Sequence, residues 1–204
     1  MIPRRAIPAV ILAAAALPER TRAQPGSAPV EVIERFQAAL LDVMRNARAL
    51  GPRGREARLR PALEAAFNLP AMTRIAVGPP WTGMAQAEQA ALVAAFSDWS
   101  VANYAARFDS YGGQSFQING ESTLPNGDRL VRTQINRVSR EPVQVNYLLR
   151  AAGGGTWRVV DLYLAATISE LASRRSEFTA ILRDGGAPRL IAELRARTQR
   201  LLEG

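Results

Sequence analysis

The stretch 157–185 constrains the fold most, because its hydrophobic period changes from two residues to about 3.6 residues without an intervening proline or glycine. In its first part, alternate residues from Val160 to Leu164 are apolar, which predicts a strand with one apolar face. From Ile168 the apolar residues recur at helical spacing as far as Gly185. A strand that leads directly into an amphipathic helix must share a core with that helix or form part of a cavity wall.

Asp161 interrupts the apolar part of this strand. Alternation places its side chain on the face opposite the apolar row, and half-buried carboxylates are usually paired. We therefore expect an ion pair with Arg174 or Arg175 of the following helix rather than a catalytic carboxylate. Thr167 and Glu170 have the spacing of a capping box, which predicts that the helix begins there.

The composition excludes most enzyme chemistry. The 204 residues contain no Cys, His or Lys, so all 26 basic residues are Arg. A zinc site of the usual kind, a thiol nucleophile, a Ser-His-Asp triad, a Schiff base and a P-loop are thereby excluded. The carboxylates are scattered and form no acid-base pair, and a hydrolase that depends on Asp161 is a distant alternative. We predict no catalytic residue, no metal and no cofactor.

Residues 1–23 have the layout of a secretory signal peptide. Arg4 and Arg5 precede an apolar run that ends at Leu17, and the small-residue site Thr21-Arg22-Ala23 follows. The run is shorter than the about 20 residues that a membrane span needs. We predict an exported periplasmic protein with one domain, 24–204. The net charge of +8 is weak evidence for nucleic acid, and no nucleic-acid partner is expected.

Two kinds of periodic segment fill the predicted domain. Helical spacing predicts helices over 30–50, 53–67, a short stretch from Pro70, 86–111, 167–183 and 188–202. Alternating spacing predicts strands over 114–123, 130–138, 143–150 and 157–164, with turns at 125–128, 141–142 and 153–155. Four consecutive strands joined by hairpins form an antiparallel meander with one apolar face. The predicted class is α+β, with helices and a four-stranded antiparallel meander.

Several motifs resemble a known family. FNLPAMTRIAVGPPW, then SDWSVANYAARFDSY, VNYLLR and WRVVDLYLAATISELASRRSEFTAILRDGG occur in the order seen in MlaC-like periplasmic lipid-binding proteins, and they are most similar to the hopanoid-associated HpnM branch. The resemblance implies a helical layer packed on a curved four-stranded meander, with the two enclosing an apolar cavity for acyl chains. The lipid-binding domain would then be 24–204. Family members carry phospholipid between an inner-membrane transporter that contains an MCE-domain protein and an outer-membrane lipoprotein complex. Those complexes are the expected partners, with phospholipid or hopanoid as cargo.

The resemblance also implies which residues contact lipid. By motif these are Met72, Ile75, Val77, Val145, Tyr147, Val160, Leu162, Leu164 and Ile168. The apolar faces of the predicted elements add Trp81, Tyr104, Phe108, Val131, Ile135 and Leu149 to the expected lipid-binding set. The chain departs from the family at Ala165-Ala166, where a glycine is usual before the last helices.

Two functions are compatible with this sequence. The first is a periplasmic lipid carrier. Its apolar interior must compensate for a transfer free energy of about 0.8 kcal/mol for each CH₂ group that leaves the bilayer. The second is a structural adaptor of an envelope transport complex whose core is filled. A pocket of about 300 Å³ or more, the lower end of the range for ligand sites, favours the carrier.

Overall fold

The computed structural model describes residues 28–165 and 167–203. The predicted signal peptide therefore lies outside the described residues. The helices are α1 (Pro29–Arg45), α2 (Ala47–Ala66), α3 (Leu69–Val77), α4 (Gln86–Arg107) and α5 (Glu170–Glu203), with a 3-10 helix at Pro79–Gly83. Within the described residues, no helix combines the length and the hydropathy that a membrane span requires.

Glycines break two of these helices where the sequence predicts boundaries. Gly51 in α2 has φ 62°, and Gly185 and Gly186 interrupt α5 before Pro188. Positive φ is a conformation that glycine adopts without steric cost, so the predicted ends appear as kinks between two helical segments. Helix α4 ends at Arg107, four residues before the predicted end, because Phe108 leaves helical geometry with ψ 54°.

The sheet is antiparallel, and its five strands follow sequence order. They are β1 (Ser115–Thr123), β2 (Arg129–Arg137), β3 (Arg140–Ala151), β4 (Trp157–Leu164) and β5 (Ile168–Ser169). The predicted count of four misses β5, a two-residue strand in which Ile168 pairs with Leu164. Two residues are too few to show an alternating pattern, so periodicity did not separate β5 from the helix that follows it.

The β2–β3 turn lies three residues earlier than predicted. Arg137 pairs with Arg140, so Val138 and Ser139 form the tip, and Pro142 lies inside β3. Pairing of β3 with β4 begins only at Val145. At Pro142, the edge of β3 that faces β4 therefore has no partner strand. Proline has no backbone N–H, and at this position no hydrogen bond to β4 is lost.

A β-bulge changes the predicted alternation of β4. Leu148 pairs with Asp161 and Leu149 with Val159, so Val160 is the extra residue. An extra residue shifts every side chain beyond it to the other parity. Val159 therefore joins the main hydrophobic core together with Leu162, whereas Val160 is buried outside that core cluster. The predicted inner row of Val160, Leu162 and Leu164 is wrong at Val160.

Asp161 caps the start of α5 instead of forming an ion pair. Its Oδ2 accepts a hydrogen bond from the Ser169 hydroxyl at 2.6 Å, and its Oδ1 accepts one from Leu171 N at 3.3 Å. The Ser169 hydroxyl oxygen accepts a hydrogen bond from Ala172 N, so Ser169 rather than Thr167 has the capping role.

The arginines expected to pair with Asp161 have other partners. Arg174 pairs with Glu170 and Glu177. Arg175 donates two hydrogen bonds to the carbonyl oxygen of Ile75. The predicted ion pair of Asp161 with either arginine is therefore wrong.

The core lies between the helices and the sheet and contains two aromatic groups. Around Phe36 of α1, the ring of Phe67 lies 4.9 Å away and the ring of Tyr104 lies 5.3 Å away, both in edge contacts. Phe178 of α5 contacts Phe96 and Trp99 of α4. Edge contacts of this kind add to the stabilisation from burial. The two groups hold α1, α4 and α5 in place around the space described next.

Candidate functional site

A pocket of about 440 Å³ lies between the helices and the sheet. All five helices and strands β2, β3 and β4 contribute to its wall. The apolar lining is Met44, Leu63, Phe67, Leu69, Met72, Phe96, Trp99, Tyr104, Phe108, Ile135, Val143, Val145, Tyr147, Leu162, Leu164 and Leu171. The polar lining is Ser100, Asn103, Arg107, Ser110, Gln114, Arg137, Glu170 and Arg174.

Two other pockets, of about 410 and 380 Å³, have different surroundings. Both are bordered by Thr156 and Arg158 beside the start of β4. Half of the residues that line the 410 Å³ pocket are polar, and the 380 Å³ pocket is bounded only by α1, α2 and the start of β4. Volume alone therefore does not identify the site. The first pocket is the candidate because ligand sites are mainly apolar with a few placed polar groups.

Two tyrosines contribute to the wall as neutral, apolar-bodied side chains. Burial raises the pKa of Tyr147 above its usual range. Burial, with a smaller effect from Tyr147, also raises the pKa of Tyr104 well above that range. The Tyr104 ring stacks on Phe108 with centroids 5.9 Å apart and planes 9° apart. Both phenols thus stay protonated at any physiological pH, and they add no negative charge to the pocket.

The polar residues of the wall gather in two places. Arg107, Ser110, Gln114 and Arg137 lie where α4 leads into β1 and where β2 ends, since Ser115 pairs with Asn136. The guanidinium of Arg137 donates to the carbonyl oxygen of Glu141 at 3.1 and 2.6 Å. A carbonyl oxygen carries no net charge, so the positive charge of Arg137 stays uncompensated by this contact. This end of the pocket therefore suits an anionic group.

The second polar place is the first turn of α5, where the charges are already paired. Arg174 contacts Glu170 at 2.5 Å and Glu177 at 3.1 Å, and its guanidinium lies 4.8 Å from the centre of the Trp99 ring. The two ion pairs and the contact with the Trp99 ring hold the Arg174 side chain against the wall. Within the residues that the structure describes, no cluster of acidic side chains suits a metal ion.

The pocket brings together eight of the fifteen side chains predicted to contact lipid. These are Met72, Tyr104, Phe108, Ile135, Val145, Tyr147, Leu162 and Leu164. That they bind lipid stays a prediction.

The other seven predicted residues lie outside the pocket wall. Val77, Val131, Leu149 and Val160 are buried elsewhere, Ile75 and Trp81 are half-buried, and Ile168 is 56% exposed. Val160 is displaced by the bulge, and Ile168 lies in β5 rather than on the inner face of a helix. Val131 and Leu149 have inward parity but lie where neighbouring side chains fill the space.

Sequence reasoning missed several lining residues. On α4, Phe96 and Ser100 precede Tyr104 and Phe108 at intervals of four residues, so the helical stripe was readable from the sequence. Val143 shares the parity of Val145 and was readable in the same way. The contributions of Met44 and Leu63 depend on how α1 and α2 pack, and no local pattern in the sequence indicates them.

Comparisons with known proteins agree with this architecture. A search of curated protein sequences found no match. Among solved structures, the phospholipid-binding protein from Ralstonia solanacearum, determined in complex with a phospholipid, superposes with a TM-score of 0.72. It is 17% identical, and the match covers 83% of this chain and 96% of that one. At this identity the likeness shows the fold. The family model described as MlaC protein matches residues 34–196, most of the chain, and the protein therefore belongs to the MlaC family.

Proposed function

We propose that this protein is a lipid carrier that holds acyl chains in the 440 Å³ pocket. The apolar lining of that pocket, contributed by helices and sheet together, is the observation that carries the proposal. The phospholipid complex of the structurally similar Ralstonia protein and the family match support it. Binding rather than catalysis is the activity, since Cys, His and Lys are absent.

The energetics favour an apolar chamber of this kind. An acyl chain of ordinary length requires on the order of 10 kcal/mol of shelter from water, at about 0.8 kcal/mol per CH₂. The pocket volume falls within the range of about 300–1,000 Å³ that is usual for ligand sites. Acyl chains would contact the wall around Val145 and Leu162, and the head group would lie near Arg107 and Arg137.

The wider role follows from the family resemblance and is part of the proposal. The carrier works in the periplasm after removal of residues 1–23, and it moves lipid between an inner-membrane transporter that contains an MCE-domain protein and an outer-membrane lipoprotein complex. Its cargo is phospholipid or, if the chain belongs to the hopanoid-associated branch, hopanoid. The alternative adaptor role requires a filled core, and a pocket of about 440 Å³ weighs against it.

Extraction and uptake test the carrier. Protein lacking the predicted signal peptide is extracted with organic solvent for mass spectrometry, and uptake of fluorescent phospholipid is then measured. Val145→Trp and Leu162→Trp should reduce uptake at least about fivefold, because a larger side chain occupies pocket space. Leu148→Trp is the matched control, since Leu148 is on the same strand as Val145 but not in the pocket wall.

The results separate the two roles. Uptake that falls in Val145→Trp and Leu162→Trp but not in Leu148→Trp supports the carrier. Absence of extractable lipid together with absence of uptake by the unaltered protein contradicts it. Equal uptake by all variants would mean that Val145 and Leu162 belong to solid core and that lipid is held elsewhere in the protein.

A further inference from the structure

The exposed large apolar side chains all adjoin the wall of the pocket. Within the described residues, those classed as exposed are Tyr111 at 43%, Val138 at 65% and Ile168 at 56%. Each adjoins a residue of the pocket wall: Tyr111 follows Ser110, Val138 follows Arg137, and Ile168 pairs with Leu164. We call these three side chains the apolar rim of the pocket.

The pairing of the strands places Tyr111 and Val138 at one end of the sheet and Ile168 farther along it. Pairing of Ser115 with Asn136 places the connection that contains Tyr111 beside the tip of the β2–β3 hairpin. Strand β5 lies two strands from β3, which corresponds to about 10 Å across the sheet. Ile168 pairs with Leu164, Leu164 with Val145 and Val145 with Thr133, so Ile168 also lies about five residues, or about 17 Å, along the strands from the hairpin tip. The apolar rim therefore extends along the pocket wall rather than forming one compact patch.

Valine is an unusual residue at the position of Val138, the tip of the β2–β3 hairpin. The two residues at the tip of a short hairpin are usually Asn, Asp or Gly, and here they are Val138 and Ser139. Ser139 has φ 55°, which is uncommon for a residue with a side chain. A Cβ added at Gly113 would lie 2.8 Å from Val138 Cγ2, so the tip rests directly on the connection after α4. Val138 is thus held in a fixed, solvent-exposed position.

The surroundings of the apolar rim are basic. Four arginines lie there and make no ion pair with a carboxylate in the part of the chain that is described: Arg45, Arg107, Arg137 and Arg140. The Arg45 guanidinium lies 5.3 Å from the centre of the Tyr111 ring. Two carboxylates, Asp109 and Glu141, adjoin the same segments. The positive excess attracts an anionic surface.

We propose that the apolar rim and these four arginines dock on an anionic phospholipid bilayer. Single exposed apolar side chains with arginines nearby suit the interfacial region of a membrane, where apolar groups insert and cations meet lipid phosphates. A protein partner typically buries about 800 Å² per side around a contiguous apolar centre, which the spaced residues Tyr111, Val138 and Ile168 do not provide.

Docking in this orientation gives the pocket direct access to the bilayer. The part of the pocket wall that contains Arg137 and Leu164 would lie next to the lipid, so an acyl chain would have a short path into the pocket. The purpose of docking rests on the proposed carrier function, but the docking itself is measured without it.

Co-sedimentation with vesicles tests the inference. Protein without the predicted signal peptide should partition onto phosphatidylglycerol vesicles more than onto phosphatidylcholine vesicles, and less at high salt. Val138→Asp and Ile168→Asp should each lower partitioning about tenfold, because an apolar contact is lost and a carboxylate faces anionic lipid. Arg140→Gln should lower it about threefold and has little risk of unfolding the exposed hairpin. Ala152→Asp adds the same charge at the opposite end of the sheet and should leave binding unchanged.

Lipid extraction from the same variants separates this inference from the carrier function. Val138→Asp and Arg140→Gln should weaken vesicle binding but keep any extractable lipid. If vesicle binding depends on Val138 but the protein contains no extractable lipid, the docking proposal is supported and the carrier proposal is contradicted. Docking is overturned if the unaltered protein does not bind phosphatidylglycerol vesicles, if Ala152→Asp is as harmful as Val138→Asp, or if the Val138 effect follows dimer dissociation.

Discussion

Replacement of Asp161 with alanine should lower the free energy of unfolding by about 2–4 kcal/mol. The buried carboxylate accepts hydrogen bonds from Ser169 Oγ at 2.6 Å, Leu162 N at 2.7 Å and Leu171 N at 3.3 Å. A hydrogen bond to a charged group contributes about 1.5–3 kcal/mol, but water replaces part of what is lost. Ser169 keeps its own cap on Ala172 N, which limits the total.

Urea unfolding followed by circular dichroism measures the effect. Asp161→Asn retains an oxygen acceptor but loses the charge, so it should cost about half as much as Asp161→Ala. Asp184→Ala is the control, because Asp184 lies on α5, the helix that Asp161 caps. The Asp184 side chain is 71% exposed and lies 3.8 Å from Arg189, so its removal should change stability by less than about 0.5 kcal/mol.

A small loss would refute the capping role. If Asp161→Ala costs no more than Asp184→Ala, the hydrogen bonds at the start of α5 do not stabilise the fold as described. A double-mutant cycle with Arg174→Gln gives a second test, since the cap requires almost no coupling between Asp161 and Arg174. A coupling energy above about 1 kcal/mol would indicate that Asp161 and Arg174 form the ion pair that the sequence predicts.

Two further predictions concern the sheet. Ala165 has φ 49°, so Ala165→Gly should stabilise the protein by about 0.5–1 kcal/mol, as relief of the left-handed conformation exceeds the added entropy of the unfolded chain; a lower urea midpoint would contradict this. The side-chain hydrogen bonds from Arg150 lower the pKa of Asp128 below its ordinary 3.8. Asp128 therefore contributes stability that is complete above about pH 4 and is lost as the pH falls through its folded-state pKa. Asp128→Asn should cost about 1 kcal/mol at pH 7 and less at pH 2–3, and a cost that does not change with pH would refute the assignment.

The sequence was a good guide to elements that have a clear local pattern. The predicted strand 157–164 has the bounds of β4, and the predicted break at Gly185 and Gly186 appears as the kink in α5. These features depend on side-chain alternation and on glycine conformation, both of which act over a few residues. The pocket residues Val145 and Leu162 were identified by the same reasoning and by the family resemblance.

Features set by one or two residues were not predictable in this way. The bulge at Val160 reverses the alternation in β4, and no pattern within the strand announces it. The pairing of Ile168 with Leu164 converts a predicted helical residue into an exposed strand residue. The position of Asp161 depends on both, because its partners lie on the far side of the turn that these pairings create.

The sequence by itself determined the α+β class and the order of helices and strands. The absence of Cys, His and Lys also excluded nucleophiles and bases of those three residue types. Only the tertiary structure decided whether the apolar faces close on one another or leave a space. At Val131 and Leu149 neighbouring side chains fill the interior, whereas around Val145 and Leu162 they leave about 440 Å³. Alternation fixes which way a side chain points, but how closely the opposing helices approach depends on packing between residues far apart in the chain.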